Sequence, residues 1–176
     1  EISKNRNTSV VAKRIKRSEG PLFQLMYQIH KLVTLIFTGK KMNFGNYSCL
    51  TNNDVKTLSD KPSLWSSYSG SVKKNLIKLN EINSTRGMRY FGPSQMSLLK
   101  LLIHSFAIIA VFKYQVFLRS TFLIIILAYS NLYFGNISIF FQILIVLFNL
   151  IIFTVSLREK DNELRNSHNN LDTIKN

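Results

Sequence analysis

STFLIIILAYSNLYFGNISIFFQILIVLFNLIIFTVSL, residues 120–157, is a run of 38 residues without one charged side chain. As one helix it would extend roughly 57 Å at 1.5 Å per residue, about twice the ~30 Å of a bilayer's hydrocarbon core. One straight span is too long, whereas two spans joined by a tight turn fit. Tyr133-Phe134-Gly135-Asn136 is the natural turn, because Gly and Asn tolerate left-handed backbone and Tyr suits a membrane interface. The spans predicted are residues 116–133 and 137–157, with Arg119 snorkelling at the start of the first. Lys113 and Arg119 precede the run, Arg158 and Lys160 follow it, and the turn carries no cation. The positive-inside rule then places both ends of the hairpin in the cytoplasm. The competing reading, a buried hairpin of a water-soluble protein, is disfavoured because little else in the chain is apolar enough to cover it.

Outward from the hairpin, residues 98–112 are apolar but carry Lys100 and His104 four positions apart, hence on one helix face. An amphipathic helix lying in the interface is expected over residues 96–115, with a short third span as the alternative. Residues 158–176 form a polar, Asn-rich cytoplasmic tail, read as a helix extension that frays.

The remaining 95 residues carry most of the positive charge. The whole chain has 23 Lys and Arg against 9 Asp and Glu, a formal net charge of +14, so its partners should be anionic. A nucleic-acid binder would be expected to present a folded basic motif without a long apolar tail, which leaves phosphate-bearing small molecules and lipid. Cys49 is the single cysteine, which excludes an internal disulfide and a Cys-based metal site, and His30, His104 and His168 show no ligand spacing. The chain begins at Glu1, without a signal peptide. It is expected to be the C-terminal portion of a longer protein.

Along this part, Val10-Val11-Ala12 reads as the end of a strand. It is followed by Lys13-Arg14-Ile15-Lys16-Arg17-Ser18-Glu19-Gly20, four cations in five positions. Such crowding is tolerated in a solvated loop or opposite an anion, and Arg offers a bidentate fork to phosphate oxygens. Leu22, Leu25, Met26, Ile29, Leu32, Val33 and Ile36 recur at helical spacing, which predicts a helix over residues 21–37, opened by Pro21 and stopped at Gly39. Asn43-Phe44-Gly45-Asn46-Tyr47-Ser48-Cys49-Leu50 reads as a turn whose Gly45 permits close backbone approach. Thr51 or Asn53 caps a helix over residues 54–59, another helix is expected over 65–79, and Glu81-Ile82-Asn83 reads as a short strand. Arg86 and Arg89 then stand just before the expected interfacial helix, where a lipid headgroup would be met.

The basic segment 13–20, the segment 43–50, the run Arg86-Gly87-Met88-Arg89-Tyr90-Phe91-Gly92-Pro93-Ser94 and the terminal hairpin, in this order, resemble the C-terminal half of membrane-anchored family 2 glycosyltransferases of the polyprenyl-phosphate type, akin to dolichol-phosphate mannose synthases. The resemblance covers the chain apart from its tail. It implies an α/β nucleotide-sugar-binding fold, with residues 1–95 as the C-terminal portion of the cytoplasmic domain. It also implies inverting transfer of a hexose from a nucleotide sugar to a polyprenyl-phosphate lipid at the cytoplasmic membrane, within cell-envelope glycan synthesis. A divalent metal, Mg or Mn, is implied for the intact enzyme, whose Asp-x-Asp ligands would lie upstream; no Asp-x-Asp occurs in these 176 residues. By match to the family's motifs, Arg14 and Arg17 would hold diphosphate or acceptor phosphate, Arg86, Arg89 and Ser94 the acceptor phosphate, and Lys13, Glu19 and Gly45 would support them. Asn46 occupies a position often Asp in relatives, and Gln95 one that is often Lys; an amide cannot act as a base. The alternative reading of the same charge pattern is a non-catalytic basic adaptor that binds anionic lipid or docks a partner protein. Homo-oligomerisation is compatible with either.

Overall fold

The computed structural model describes residues 8–16, 21–85 and 97–174. Among these described residues, three strands and eight helices form a mixed α/β arrangement, with a small sheet at one end and a helical hairpin at the other. Strand β1 (Ser9–Lys16) is central. On one side it pairs antiparallel with β2 (Phe44–Cys49), and on the other parallel with β3 (Leu79–Thr85), giving the order β2-β1-β3. Three expectations change here. Strand β1 does not end at Ala12 but carries the cations Lys13, Arg14 and Lys16 inside it, because pairing with β3 continues to Lys16 after pairing with β2 has stopped at Lys13. Segment 43–50 is a strand rather than a turn, since burial of Phe44 opposite Lys13 outweighs the turn propensity of Gly45-Asn46. Strand β3 is longer than the three residues expected and supplies seven.

One face of the sheet packs on short helices. Val11 and Phe44 meet Leu58 of α2 (Asn52–Ser59) and Val72 of α4 (Tyr68–Asn75), with Leu76 beside them. The Thr51 cap is confirmed, its hydroxyl accepting from the Asp54 N–H at 3.2 Å. Ser9 ties this cap to the sheet: its hydroxyl donates to the Asp54 carboxylate and accepts from the Thr51 N–H at 3.0 Å. The helix expected over 65–79 is instead α3 (Ser63–Ser66) and α4, broken at Ser67. Ser67 takes extended backbone, and its hydroxyl caps α4 by accepting from the Gly70 N–H at 3.3 Å. Ser, Asn and Asp favour such caps over helix interiors because their short polar side chains compete for backbone groups.

Helix α5 (Leu98–Ala110) is the joint between sheet and hairpin. Its first half is largely exposed, but Ala107 to Phe112 are buried throughout. It therefore does not lie on a surface along its whole length. Gly70 lets α4 approach it, with the Ile108 carbonyl and the Val111 side chain lying where a Cβ would sit. Lys74 Nζ donates to the Val111 carbonyl at 2.8 Å, and Ser66 Oγ to the Ala107 carbonyl at 3.1 Å.

Helices α6 (Lys113–Phe134) and α7 (Asn136–Ser156) are 22 and 21 residues long, both apolar enough to cross a membrane, and they fold back on each other. At 1.5 Å per residue they extend about 33 and 32 Å, matching a hydrocarbon core of about 30 Å. The reversal is at Gly135, φ +50°, as the sequence predicts. At the closed end Ser138 donates to the Leu127 carbonyl and Gln142 Nε2 donates to Asn131 Oδ1 at 3.3 Å. At the open end Lys113 Nζ meets Glu159 Oε2 at 2.9 Å. The tail forms a separate helix α8 (Asp161–Ile174) rather than extending α7; residues 157–160 interrupt it.

Helix α1 (Pro21–Thr38) does not return to the sheet. It packs on the hairpin through Val33 and Phe37, with the Phe37 and Phe148 rings 4.5 Å apart between centroids. Gly39, φ +70°, follows it as expected.

A candidate anion-binding site at the sheet end

The sheet register gives the first geometric test of the basic segments. Strands β1 and β3 run the same way, and Arg14 is opposite Ser84 and Lys16 opposite Thr85. Lys16 is covalently followed by Arg17, and Thr85 by Arg86. The two basic segments, 69 residues apart in sequence (86 minus 17), therefore leave the sheet from neighbouring positions on adjacent strands, which lie about 4.8 Å apart. Arg17, Glu19, Arg86, Arg89 and Ser94 themselves lie outside the described residues.

Lys13 is held rather than free. Its Nζ is 3.4 Å from Glu81 Oε2. Glu81 is two residues before Asn83, the register partner of Lys13, so the pair is the diagonal same-face contact of a sheet. Sequence reasoning misses Glu81 as a partner, because the pairing follows from the register of β3 on β1, which no local pattern gives. The pair is solvated and worth well under 1 kcal/mol. Its consequence is spatial: it fixes the Lys13 stem along the sheet and engages the ammonium within the protein.

Asn46 and Gly45 lie on β2, the neighbour of β1 on the other side. Asn46 is exposed and Gly45 half-buried. The register shifts between Val11, opposite Ser48, and Lys13, opposite Phe44. This irregularity puts Asn46 beside the stretch of β1 where its cations begin. Ser48 on the same strand is hydrogen-bonded to the Tyr68 hydroxyl, which anchors β2 to α4. All the site positions that fall on described residues, namely Lys13, Arg14, Gly45 and Asn46, thus share one pair of strands.

The groups that this part of the sheet carries are the cationic residue types of β1 and, on β2, the exposed Asn46 amide. The residues do not fit a resident metal: among the described residues, no three His, Cys, Asp or Glu side chains gather where an ion could be held. Cys49 is exposed and in no disulfide. No family model, curated protein or solved structure matches this chain.

Proposed function

We propose that this chain is the acceptor-binding and membrane-anchoring portion of a glycosyltransferase that moves a sugar from a nucleotide-sugar donor to a polyprenyl-phosphate lipid. The observation that supports this most is the pairing of Lys16 with Thr85, which brings the entry to Arg17 and the entry to Arg86 together at one end of the sheet. Two basic segments that begin at neighbouring strand ends suit a ligand with concentrated negative charge, such as a phosphate or diphosphate. Their body is seated on a hairpin of membrane-spanning length, which suits a ligand whose other end is lipid.

In this reading both ends of the hairpin are cytoplasmic. Negative charge develops on the departing diphosphate during transfer, and preorganised cations that offset it lower the barrier. Arg14 and Arg17 supply that charge, Arg86, Arg89 and Ser94 hold the acceptor phosphate, and Asn46 borders the site without acting as a base. A phosphate acceptor is already ionised and needs none. The divalent metal and the donor sugar contacts would come from residues other than those described above.

The test is transfer of radiolabelled sugar from UDP- and GDP-sugars to polyprenyl phosphate, using membranes that contain the full-length protein with Mg or Mn present. Chloroform-soluble labelled product that disappears in the Arg14→Ala, Arg17→Ala double variant, with membrane insertion intact, supports the reading. Full transfer in that variant defeats the phosphate role. Absence of transfer with every donor, together with tight binding to anionic vesicles, defeats the enzyme reading in favour of a basic membrane adaptor.

A further inference from the structure

Helix α1 has three distinct faces. At 100° per residue, Val33, Thr34, Phe37 and Thr38 fall on one side, and these are the residues turned to the hairpin or buried. Gln24, Gln28 and Lys31 fall on a second, mainly polar side, which also carries the partly exposed Leu35. Leu22, Leu25, Ile29, Leu32 and Ile36 fall within an arc of about 80° on the third side. All five are between 43% and 58% exposed. A continuous row of large apolar side chains beside a polar face, with none of the described residues packed over it, needs a cover.

The position of α1 on the hairpin identifies that cover. Lys113 and Glu159 mark the charged rim at the open end of the hairpin. Arg119 lies six residues beyond Lys113, about 9 Å further along the helix axis. There its Nη1 donates to the Ile36 carbonyl at 3.3 Å, at the C-terminal end of α1. Phe148, against Phe37, lies eight residues before Ser156, about 12 Å inside the same rim. Interfacial helices bury their apolar faces about 5–10 Å into the boundary of headgroups and acyl chains. The C-terminal end of the exposed row, at Ile36, is therefore about 9–12 Å inside that rim, and on α6 Leu118 and Phe122 are likewise exposed.

We infer that α1 is an interfacial membrane helix, with Leu22, Leu25, Ile29, Leu32 and Ile36 seated in the acyl boundary of the leaflet on the sheet side. This rests on the hairpin being in lipid, as proposed above. Arg119 then serves the end of this helix. Its guanidinium meets the negative end of the α1 dipole and satisfies a terminal carbonyl at a depth where water is scarce.

The experiment reads tryptophan quenching by brominated phosphatidylcholine in proteoliposomes of the full chain, with the native Trp65 replaced by Phe. Single tryptophans are placed at Ile29 and Leu32 on the row, at Gln28 on the polar face, and at Phe122 on α6. The positions are exposed, so the replacements leave the packed faces intact. About a twofold loss of emission is expected at positions 29, 32 and 122, and little at 28. Quenching at 122 with none at 29 and 32 would overturn the inference and leave the hairpin reading standing, and blue-shifted unquenched emission at 29 and 32 would mean that protein covers the row. No quenching at 122 would remove the hairpin from lipid and the inference with it.

Discussion

Gly70→Leu should loosen the sheet region from the hairpin at the α4–α5 contact, and its cost can be worked from that contact. A Cβ at Gly70 would stand 3.0 Å from Val111 Cγ2 and 3.3 Å from the Ile108 carbonyl oxygen. For Gly70→Ala, a shift of a few tenths of an ångström is enough, and the gain in helix propensity of about 1 kcal/mol offsets it. Leucine adds three more carbons against side chains that are already sealed, Val111 being fully buried. Overpacking of this kind costs about 1–3 kcal/mol. If α4 withdraws to make room, the Lys74–Val111 and Ser66–Ala107 hydrogen bonds lengthen, adding about 1–2 kcal/mol. A total of about 2–5 kcal/mol lowers the midpoint of thermal unfolding by roughly 10 °C for a chain of this size. The assay is thermal unfolding in mild detergent, with limited proteolysis to show whether the sheet region is released. A Gly70→Leu protein that melts within a degree or two of wild type would refute the close approach of α4 to α5.

Lys113→Ala should cost about 2–3 kcal/mol, because Glu159 is left largely buried without its cation. Lys113→Met with Glu159→Leu should recover most of that, and a double-mutant cycle in thermal unfolding measures the coupling. Ser9→Ala should cost about 1–3 kcal/mol by taking partners from both the Asp54 carboxylate and the Thr51 N–H, whereas Ser59→Ala, at an exposed helix end, should stay within about 0.5 kcal/mol. Asn46→Asp, beside the cationic strand, should leave stability within about 0.5 kcal/mol. A large gain of transfer activity there would show that the native amide limits catalysis.

The hairpin is legible in the sequence because length, absence of charge and a Gly-Asn turn all point the same way over 38 residues. Helix α1 and the Thr51 cap are legible for a similar reason: periodicity and local capping chemistry are written into neighbouring residues. The sheet is not. In β1 the cations at 13, 14 and 16 disguise the strand, and what holds them there is pairing with residues about seventy positions away. In β2 the Gly45-Asn46 dipeptide reads as a turn, and only burial of Phe44 against the core decides otherwise. The candidate site is thus visible in sequence as two separate basic segments, while the adjacency of the strand ends that lead into them depends on a parallel register that no local pattern encodes. Lys13 reads as a free supporting cation until its partner Glu81 is placed beside it, which alternation alone does not do. Arg119 reads as snorkelling towards water; its hydrogen bond runs to α1 instead.

The sheet is fastened to the hairpin twice, once where α4 sits on α5 and once where α1 leans on α6 and α7. A body held by a single linker swings like a tethered float. One held at two separated points keeps its altitude and heading. An acceptor phosphate held at the ends of β1 and β3, as proposed above, would then be met at a place set by these two attachments as well as by charge.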